Sequence, residues 1–152
     1  RSEAKELIDT YYETYPKLKN YISKQVDFAR DHGYVQTVLG RRRYLKDINS
    51  RNAVVRGAAE RNAVNAPIQG SAADIIKLAM INIFEKLEAG DYKTKMLLQV
   101  HDELVFEIED KYVDASIPQI KNIMETTHLD YKDFTVPLTV DFSLGKNWGE
   151  SY

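Results

Sequence analysis

The stretch Lys95–Ile108 constrains the fold most, because it holds two short apolar runs on either side of a charged centre. Each run is too short for a stable helix and is flanked by polar residues, so the pair predicts a β-hairpin. Successive side chains of a strand point to opposite faces. Met96, Leu98 and Val100 are therefore expected to share one buried face of the first strand.

The centre of this predicted hairpin carries a histidine and two carboxylates, in the order His101, Asp102, Glu103. Hairpin turns usually contain glycine beside Asn or Asp, so this composition is unusual for a turn that only reverses the chain. A carboxylate at the rigid end of a strand can bind a divalent metal ion. The alternative is an ordinary exposed turn, because Asp is also common in turns for conformational reasons.

Composition limits the class of protein. The chain has 152 residues, 43% of them hydrophobic, which is enough for one sizeable core or two small lobes. It has no cysteine, which excludes disulfides and thiolate metal sites and fits a reducing cytoplasm. Its apolar runs are too short to span a membrane, so we expect a soluble, cytoplasmic protein. Because the chain begins with Arg1 instead of Met, we also expect a piece of a longer protein.

The two halves of the chain carry opposite net charge. Residues 1–66 hold 13 Lys and Arg against 8 Asp and Glu, and residues 67–152 hold 8 against 15, which gives +5 and −7 and the overall −2. A basic half beside an acidic half suggests one surface for a polyanion and another for cations. A solvated mixture of surface charges explains the same counts equally well.

A second predicted hairpin, Tyr34–Leu45, has a glycine and then three arginines near its tip, Arg41, Arg42 and Arg43. Seven basic and two acidic residues lie from position 41 to position 61. Guanidinium groups suit phosphate because their fork donates two parallel hydrogen bonds. The same cluster is also compatible with a localisation signal or a plain solvated face. The sequence has no glycine-rich loop that would bind a nucleotide phosphate.

Alanine-rich sequence predicts one helix over residues 52–65 and a second over 71–88. Pro67 lies in the joint and is expected to kink or interrupt the helix, because it lacks a backbone N–H. Three polar side chains stand four residues apart across the joint: Arg61, Asn65 and Gln69. That spacing would continue one polar face through the break.

These three side-chain types share a chemical use. Every base pair presents an acceptor in the minor groove, at purine N3 or pyrimidine O2, so Arg, Asn and Gln donors can test the shape of a pair without reading its sequence. An enzyme that works on any template needs that property. Capping and turn formation, which also favour Asn, are the structural alternative.

The remaining sequence predicts a helix over residues 110–128, in which Pro118 is expected to cause a kink or a restart at Ser116, and a strand over Pro137–Gly145. This strand is expected to join the central hairpin in a sheet of at least three strands. The predicted fold class is therefore α+β, with a lobe boundary near residues 66–70.

Several motifs, in the same order along nearly the whole chain, resemble family A (DNA polymerase I-like) DNA polymerases, and a bacterial-type member most. The central one is Gln99–Val105, which resembles the third catalytic motif of that family. The others are Gly40–Leu45, Ile48–Asn52, Ala59–Arg61, Asn65–Lys77 and Asn147–Glu150.

The resemblance implies the C-terminal part of a polymerase domain. Residues 1–66 would be the late fingers helices with the basic hairpin. Residues 67–152 would be the palm, in which the catalytic hairpin and the C-terminal strand form an antiparallel sheet packed on helices. The family's activity implies template-directed DNA synthesis, with primer-template DNA and dNTP as partners and Mg²⁺ as cofactor.

The resemblance also implies roles for individual residues. Asp102 would be a metal-binding catalytic carboxylate, Glu103 an auxiliary one, and His101 a contact to the primer terminus. Three side chains would line the minor-groove side of the primer-template: Arg61, Asn65 and Gln69. Four arginines would lie toward the template backbone: Arg41, Arg42, Arg43 and Arg51.

A two-metal site needs carboxylates from more than one element, to hold ions about 3.5–4 Å apart. In the family, the other essential Asp and the nucleotide-binding fingers helix lie upstream of the matched motifs. We therefore expect the parent protein to polymerise DNA and residues 1–152 alone to be inactive. Two alternatives remain: a metal-dependent phosphohydrolase that uses His101 and Asp102, and, as the better rival, a non-catalytic DNA-binding module.

Overall fold

The computed structural model describes residues 2–90, 93–131 and 134–150 and contains both helices and antiparallel strands. The helices are α1 Ser2–Thr14, α2 Pro16–His32, α3 Ala53–Ala89 and α4 Val113–Thr126. The strands are β1 Tyr34–Gln36, β2 Arg42–Tyr44, β3 Thr94–Val100 and β4 Glu103–Ile108. The predicted α+β class is confirmed. The chain divides into two compact units, and the boundary along the chain lies between Ser71 and Ala72.

Helix α2 begins at a proline and ends before a glycine, and both residues suit these positions. Pro16 stands at the start of the helix, where the missing N–H costs no intrahelical hydrogen bond. Gly33 follows the last residue with a left-handed φ of 78° and donates its N–H to the carbonyl of Ala29 at 2.8 Å. The chain then enters β1 directly, so this glycine sets the direction of the first hairpin.

The hairpin predicted over Tyr34–Leu45 is confirmed; it is formed by β1 and β2 and is called the first hairpin because it comes first along the chain. The strands pair antiparallel, with Tyr34 opposite Tyr44 and Val35 opposite Arg43. Val35 is 1% exposed and packs in a core with residues of α2, α3 and the loop after β2: Ala29, Leu45, Ile48, Ala59, Ala63 and Ala66. The small alanine side chains of α3 let the hairpin lie close to the helix.

Polar contacts fix α2 to the start of α3. Arg30 donates to Glu60 at 2.7 Å, and Arg56 lies 3.6 Å from the same carboxylate. Arg56 also donates to the carbonyl of Ser50 at 2.9 Å. Asn52 caps α3, because its Oδ1 accepts from backbone N–H groups of the first turn. Arg56 therefore stabilises the fold, and the carboxylate of Glu60 offsets the positive charge of Arg30 and Arg56.

The two helices predicted around Pro67 form one helix, α3, of 37 residues. The prediction of an interruption at Pro67 is wrong. Proline removes only one hydrogen bond from a long helical ladder, and here its ring is buried beside the first hairpin. Pro118 is likewise accommodated inside α4.

Neither α3 nor any other helix within the described ranges is apolar and long enough to cross a membrane.

The tip of the first hairpin is held against α3 at Gly70 and Ser71. The hydroxyl of Ser71 accepts from the backbone N–H of Val38 at 2.9 Å and donates to the carbonyl of Pro67 at 2.6 Å. Gly70 is a point of close approach, since a Cβ built there would lie 2.6 Å from Cγ2 of Thr37. A side chain at this position therefore requires the methyl group of Thr37 to shift.

Gly70→Ala is expected to destabilise the first unit by about 1–3 kcal/mol, because the new methyl group overpacks the contact with Thr37. Thr37 is 8% exposed and its Oγ1 accepts from the N–H of Arg41 at 3.1 Å, so the side chain cannot rotate away freely. In a T37S background the clashing methyl group is absent, and Gly70→Ala should be neutral or stabilising through helix propensity. Urea titration followed by circular dichroism measures both cases. Equal destabilisation in the two backgrounds would contradict this account of the contact.

The second unit contains the central hairpin, which is confirmed by the antiparallel pairing of β3 and β4. Its buried residues include several of α3 and α4: Ala79, Ile83, Ser116 and Ile120. The hydroxyls of Thr94 and Ser116 lie 3.0 Å apart and join the first residue of β3 to α4. The helix contact therefore fixes the open end of the hairpin, and the turn lies at the other end of the strands.

The predicted third strand over Pro137–Gly145 is wrong, because this stretch joins no sheet and β3 and β4 form a sheet of two strands in the described part of the chain. The N–H of Val140, which a strand ladder would use, donates to the carboxylate of Glu125 in α4 at 2.9 Å. Pro137 has no N–H to contribute. Leu138 and Val140 are half-buried, so the alternating pattern reflects side-chain packing without strand pairing.

Candidate functional site

The predicted carboxylate turn joins β3 to β4. Val100 and Glu103 are the last paired residues, so His101 and Asp102 form a two-residue turn. His101 has a φ of 54°, in the left-handed region that glycine usually occupies at such a position. This conformation costs free energy for histidine, and residues held in this way cluster at functional sites. The turn thus presents a histidine and a carboxylate where simple chain reversal would favour glycine.

A β-bulge changes which side chains of β3 share a face. Between Met96 and Leu98 the pairing advances by two residues in β3 and by one in β4, so Leu97 is an extra residue. Because faces alternate along a strand, the extra residue moves Leu98 and Val100 to the face opposite Met96. The expectation that these three share a face is wrong. Bulges of this kind are frequent beside active sites, where they redirect a side chain.

The bulge places Gln99 on the face of Met96, and the amide of Gln99 stabilises the turn. Its Nε2 donates to the carbonyl of His101 at 2.8 Å. That carbonyl belongs to the peptide between His101 and Asp102, so the hydrogen bond fixes the backbone on which the carboxylate stands. Sequence reasoning missed this role of Gln99. The available signal was a polar side chain inside an otherwise apolar run.

Gln99→Leu is expected to loosen the turn by about 1 kcal/mol, the usual net contribution of one hydrogen bond. Hydrogen exchange of the β4 amides next to the turn should then be faster by about fivefold. Gln119→Leu, a change of a half-buried glutamine in α4, is the matched control and should leave these amides unaffected. Equal exchange in wild type and Gln99→Leu would mean that this hydrogen bond does not hold the turn.

Asp102 and Glu103 are both exposed at this turn. Carboxylate oxygens are the protein ligands that Mg²⁺ prefers, and the ion usually completes its six positions with water and substrate phosphates. The donors at the turn therefore fit part of the shell of such an ion. The ranges that the structure describes contain no group of three or more His, Asp or Glu side chains arranged to hold a metal ion.

The first unit carries the predicted polar face on α3. Because the helix continues through Pro67, three exposed side chains follow one another along one side of it: Arg61, Asn65 and Gln69. Successive members lie about 6 Å apart along the axis. The side chain of Arg61 lies near Gly57, where an added Cβ would be 3.7 Å from its Nη1. The face thus presents guanidinium and amide donors in a row.

A cavity of about 90 Å³ lies between the first hairpin and α3. Its lining includes the three hairpin arginines and, from α3, Pro67, Gln69 and Gly70. The structure therefore brings the arginine cluster beside one end of the polar face.

The three hairpin arginines have different surroundings. Arg41 donates from Nη2 to a backbone carbonyl of α3 at 3.1 Å and so ties the hairpin tip to the helix. Arg42 lies over the ring of Tyr34, with its Cζ 4.4 Å from the ring centroid. Arg43 is exposed and stands opposite Val35, on the face toward α3. Sequence reasoning treated the three as one cluster, whereas the hairpin directs them to different faces.

The predicted site residues thus fall into two groups, one in each compact unit. The first unit holds the α3 face, the arginine hairpin and Arg51, which is exposed just before α3. The second holds His101, Asp102 and Glu103 at the turn. The roles expected for these residues stay predictions.

The chain matches the model of DNA polymerase family A over residues 1–150. It is 50% identical to DNA polymerase I of Streptococcus pneumoniae serotype 4 over 151 residues, which are 99% of this chain and 17% of that protein. It is 49% identical to DNA polymerase I of Caldicellulosiruptor bescii, again over 99% of this chain and 17% of the relative. The chain thus spans a small part of the curated relatives that it matches.

The structure is also similar to a solved structure described as the POL domain of Pol1 from M. smegmatis in complex with DNA primer-template and dNTP. The TM-score is 0.92 at 42% sequence identity, and the match covers 99% of this chain and 26% of that one.

Proposed function

Because this chain belongs to DNA polymerase family A, we propose that the protein of which it forms part is a template-directed DNA polymerase. It extends a primer 3′-OH with dNTPs in DNA replication and repair. The observation that carries the proposal is the turn at the tip of the bulged hairpin, where a histidine in a left-handed conformation precedes Asp102. The likeness to a POL domain described with primer-template and dNTP supports the same substrates. A cytoplasmic location follows from a chromosomal substrate in a bacterial cell.

The proposal assigns residues 1–66 to the late fingers and residues 67–152 to the palm. A division of the chain into compact units at Ser71 and Ala72 supports a boundary in this part of α3. In this assignment Arg61 and Asn65 end the fingers part, and Gln69 begins the palm.

The proposed reaction joins the primer to the incoming nucleotide. The primer 3′-oxygen forms a bond to the α-phosphorus, the bond from that phosphorus to pyrophosphate breaks, and the hydroxyl proton passes to solvent. Asp102 would hold Mg²⁺ with Glu103 as an auxiliary carboxylate, and an Asp outside residues 1–152 would complete the two-metal site. When bound, the ions offset the negative charge on the reacting phosphate.

The part of this chain in that reaction is to hold a carboxylate in one place. The Leu97 bulge sets the face of Gln99, and Gln99 fixes the peptide between His101 and Asp102. Positioning of this kind lowers a barrier because reacting groups need no reorganisation during the step. His101, at the same turn, contacts the primer terminus.

The α3 face and the arginines bind the primer-template. Arg61, Asn65 and Gln69 donate to minor-groove acceptors, which every base pair presents. Arg43 and Arg51 have exposed side chains that suit template phosphates. Arg41 and Arg42 lie toward the same backbone, and Arg41 in addition holds the hairpin tip.

Primer extension by the purified full-length protein tests the proposal. In Mg²⁺ the wild type is expected to add nucleotides in template order. Binding of primer-template without any addition would instead support a non-catalytic DNA-binding module.

Residues 1–152 alone are expected to add no nucleotides, because two-metal catalysis needs carboxylates from more than one element. The same assay on the purified chain measures this. Incorporation by residues 1–152 that Asp102→Ala abolishes would contradict the expectation.

A further inference from the structure

The first hairpin has a second face, which points away from the core of its unit. Side chains of paired strands alternate between faces, so Tyr34 and Tyr44, which stand opposite each other, share this face with Arg42. Val35 and Arg43 lie on the reverse side, toward α3. We call the first of these the outer face, defined by Tyr34, Tyr44 and Arg42 together with the adjacent rings of Phe28 and His32 in α2.

The rings of the outer face form a continuous row across three elements, α2, β1 and β2. The Tyr44 and Tyr34 centroids are 5.8 Å apart, and the Tyr34 and Phe28 centroids 5.6 Å. Phe28 and His32 are stacked, with centroids 4.1 Å apart and planes 15° from parallel. Nδ1 of His32 donates to the carbonyl of Phe28 at 2.9 Å, which holds the imidazole in that orientation.

The two middle rings of the row are more buried than the two rings at its ends. Phe28 and Tyr34 are half-buried and pack the hairpin against α2. Tyr44 is 67% exposed, and His32 at the other end is also exposed. Packing of the hairpin on α2 accounts for the middle rings, whereas Tyr44 and His32 keep ring surface accessible at the two ends of the row.

The charge of the outer face favours an anionic partner. The guanidinium of Arg42 lies over the Tyr34 ring, and a stacked guanidinium keeps its edge N–H groups available for phosphate. Aromatic faces for bases and an arginine for the backbone are the combination by which proteins bind single-stranded nucleic acid. A duplex fits less well, because its bases are stacked on each other and expose only their edges.

We propose that the outer face binds single-stranded DNA, with unpaired bases stacking on Tyr44 and His32 and Arg42 contacting the intervening phosphate. The rings of this site do not line the cavity beside the α3 face, whereas Arg42, which lies over Tyr34, borders both. That the occupant is the unpaired part of the template rests on the proposed polymerase function. Binding of a single strand does not depend on that function.

Fluorescence anisotropy with a labelled oligo-dT strand and a blunt duplex of equal length tests the site in the full-length protein without nucleotide. Tyr44→Ala is expected to weaken oligo-dT binding by about fivefold or more, the usual effect of removing one stacking platform. Tyr44→Phe keeps the ring and should bind as the wild type does. Tyr11→Ala removes another exposed tyrosine, in α1, and should also have no effect. Duplex binding should be unchanged in all three variants.

Photocrosslinking of an oligo-dT strand that carries 5-iodouracil locates the contact in the wild-type protein, so this result does not depend on the folding of a variant. Adducts are expected on the peptide that contains Tyr44. Unchanged oligo-dT affinity in Tyr44→Ala, equal loss for single strand and duplex, or adducts confined to other peptides would each overturn the proposal. Primer extension that fails while oligo-dT binding shows the expected losses would reject the polymerase function and leave this site standing.

Discussion

Asp102→Ala in the full-length protein is expected to lower the rate of nucleotide incorporation by about a thousandfold or more, because charge stabilisation by metal ions contributes several kcal/mol to lowering the barrier. Primer-template binding should be retained, since phosphate contacts elsewhere carry most of the affinity. Single-turnover incorporation in Mg²⁺ measures the first quantity, and fluorescence anisotropy without nucleotide measures the second.

Glu107→Gln is the matched control for this variant. Glu107 is an exposed carboxylate of β4, the strand that follows the turn, and it lies 3.7 Å from Lys95 in a surface ion pair. Such pairs contribute little, so the control should incorporate nucleotides at the wild-type rate. If Asp102→Ala also incorporates at the wild-type rate, Asp102 is only a turn residue and the DNA-binding module becomes the better account.

Gln69→Ala is expected to slow incorporation by about tenfold on every template sequence, because it leaves a minor-groove acceptor without its donor in the complex with primer-template and dNTP. A primer-terminal 3-deazapurine lacks the N3 acceptor and should slow the wild-type enzyme in the same way. If Gln69 donates to N3, the two changes together should slow incorporation no more than either change alone. This double-mutant cycle needs four single-turnover rates, those of the wild type and of Gln69→Ala with the natural primer and with the 3-deazapurine primer.

Asn20→Ala, which removes an exposed amide from α2, is the control for Gln69→Ala and should change none of these rates. Additive losses in the cycle would contradict a direct contact between Gln69 and the groove. A loss restricted to one terminal base pair would contradict a contact that ignores sequence.

The two hairpins could be predicted because their signals are local. Short apolar runs, a glycine or charged centre between them, and polar flanks specify strand and turn without knowledge of the partners. The same holds for the end of α2 at Gly33, whose left-handed conformation suits a residue without Cβ. The placement of Asp102 at a turn followed directly from these patterns.

The bulge at Leu97 could not be predicted, because a bulge is a property of two paired strands and the sequence of β3 alone shows only alternation. One extra residue reverses the facing of every later side chain in the strand. The prediction therefore gave Leu98 and Val100 the wrong face and missed the contact between Gln99 and His101.

The predictions of a helix break at Pro67 and of a strand over Pro137–Gly145 were wrong for a related reason. Local propensity argued for a break at Pro67, but tertiary packing of the hairpin on α3 covers the proline and the helix continues. Alternation argued for a strand near Val140, but a side chain of α4 takes its N–H. In both places a distant contact decided the local structure.

The separation of the arginines also depends on strand pairing. Consecutive residues in sequence read as one basic cluster, but Arg42 and Arg43 point to opposite faces once β2 pairs with β1. The same register gathers Tyr34 and Tyr44, ten positions apart, into one aromatic row. Sequence spacing alone gave no indication of that row.

Replacing Mg²⁺ by Fe²⁺ in the complex of the full-length protein with primer-template and dNTP, and mapping oxidative cleavage of the backbone, tests the central claim most directly. Radicals formed at the bound iron cut the chain beside the ion, so the cleavage sites locate the metal independently of activity. We predict cleavage next to Asp102, which is lost in Asp102→Ala and retained in Glu107→Gln. Cleavage confined to other parts of the protein, with the hairpin turn intact, would contradict the assignment of the catalytic centre to this turn.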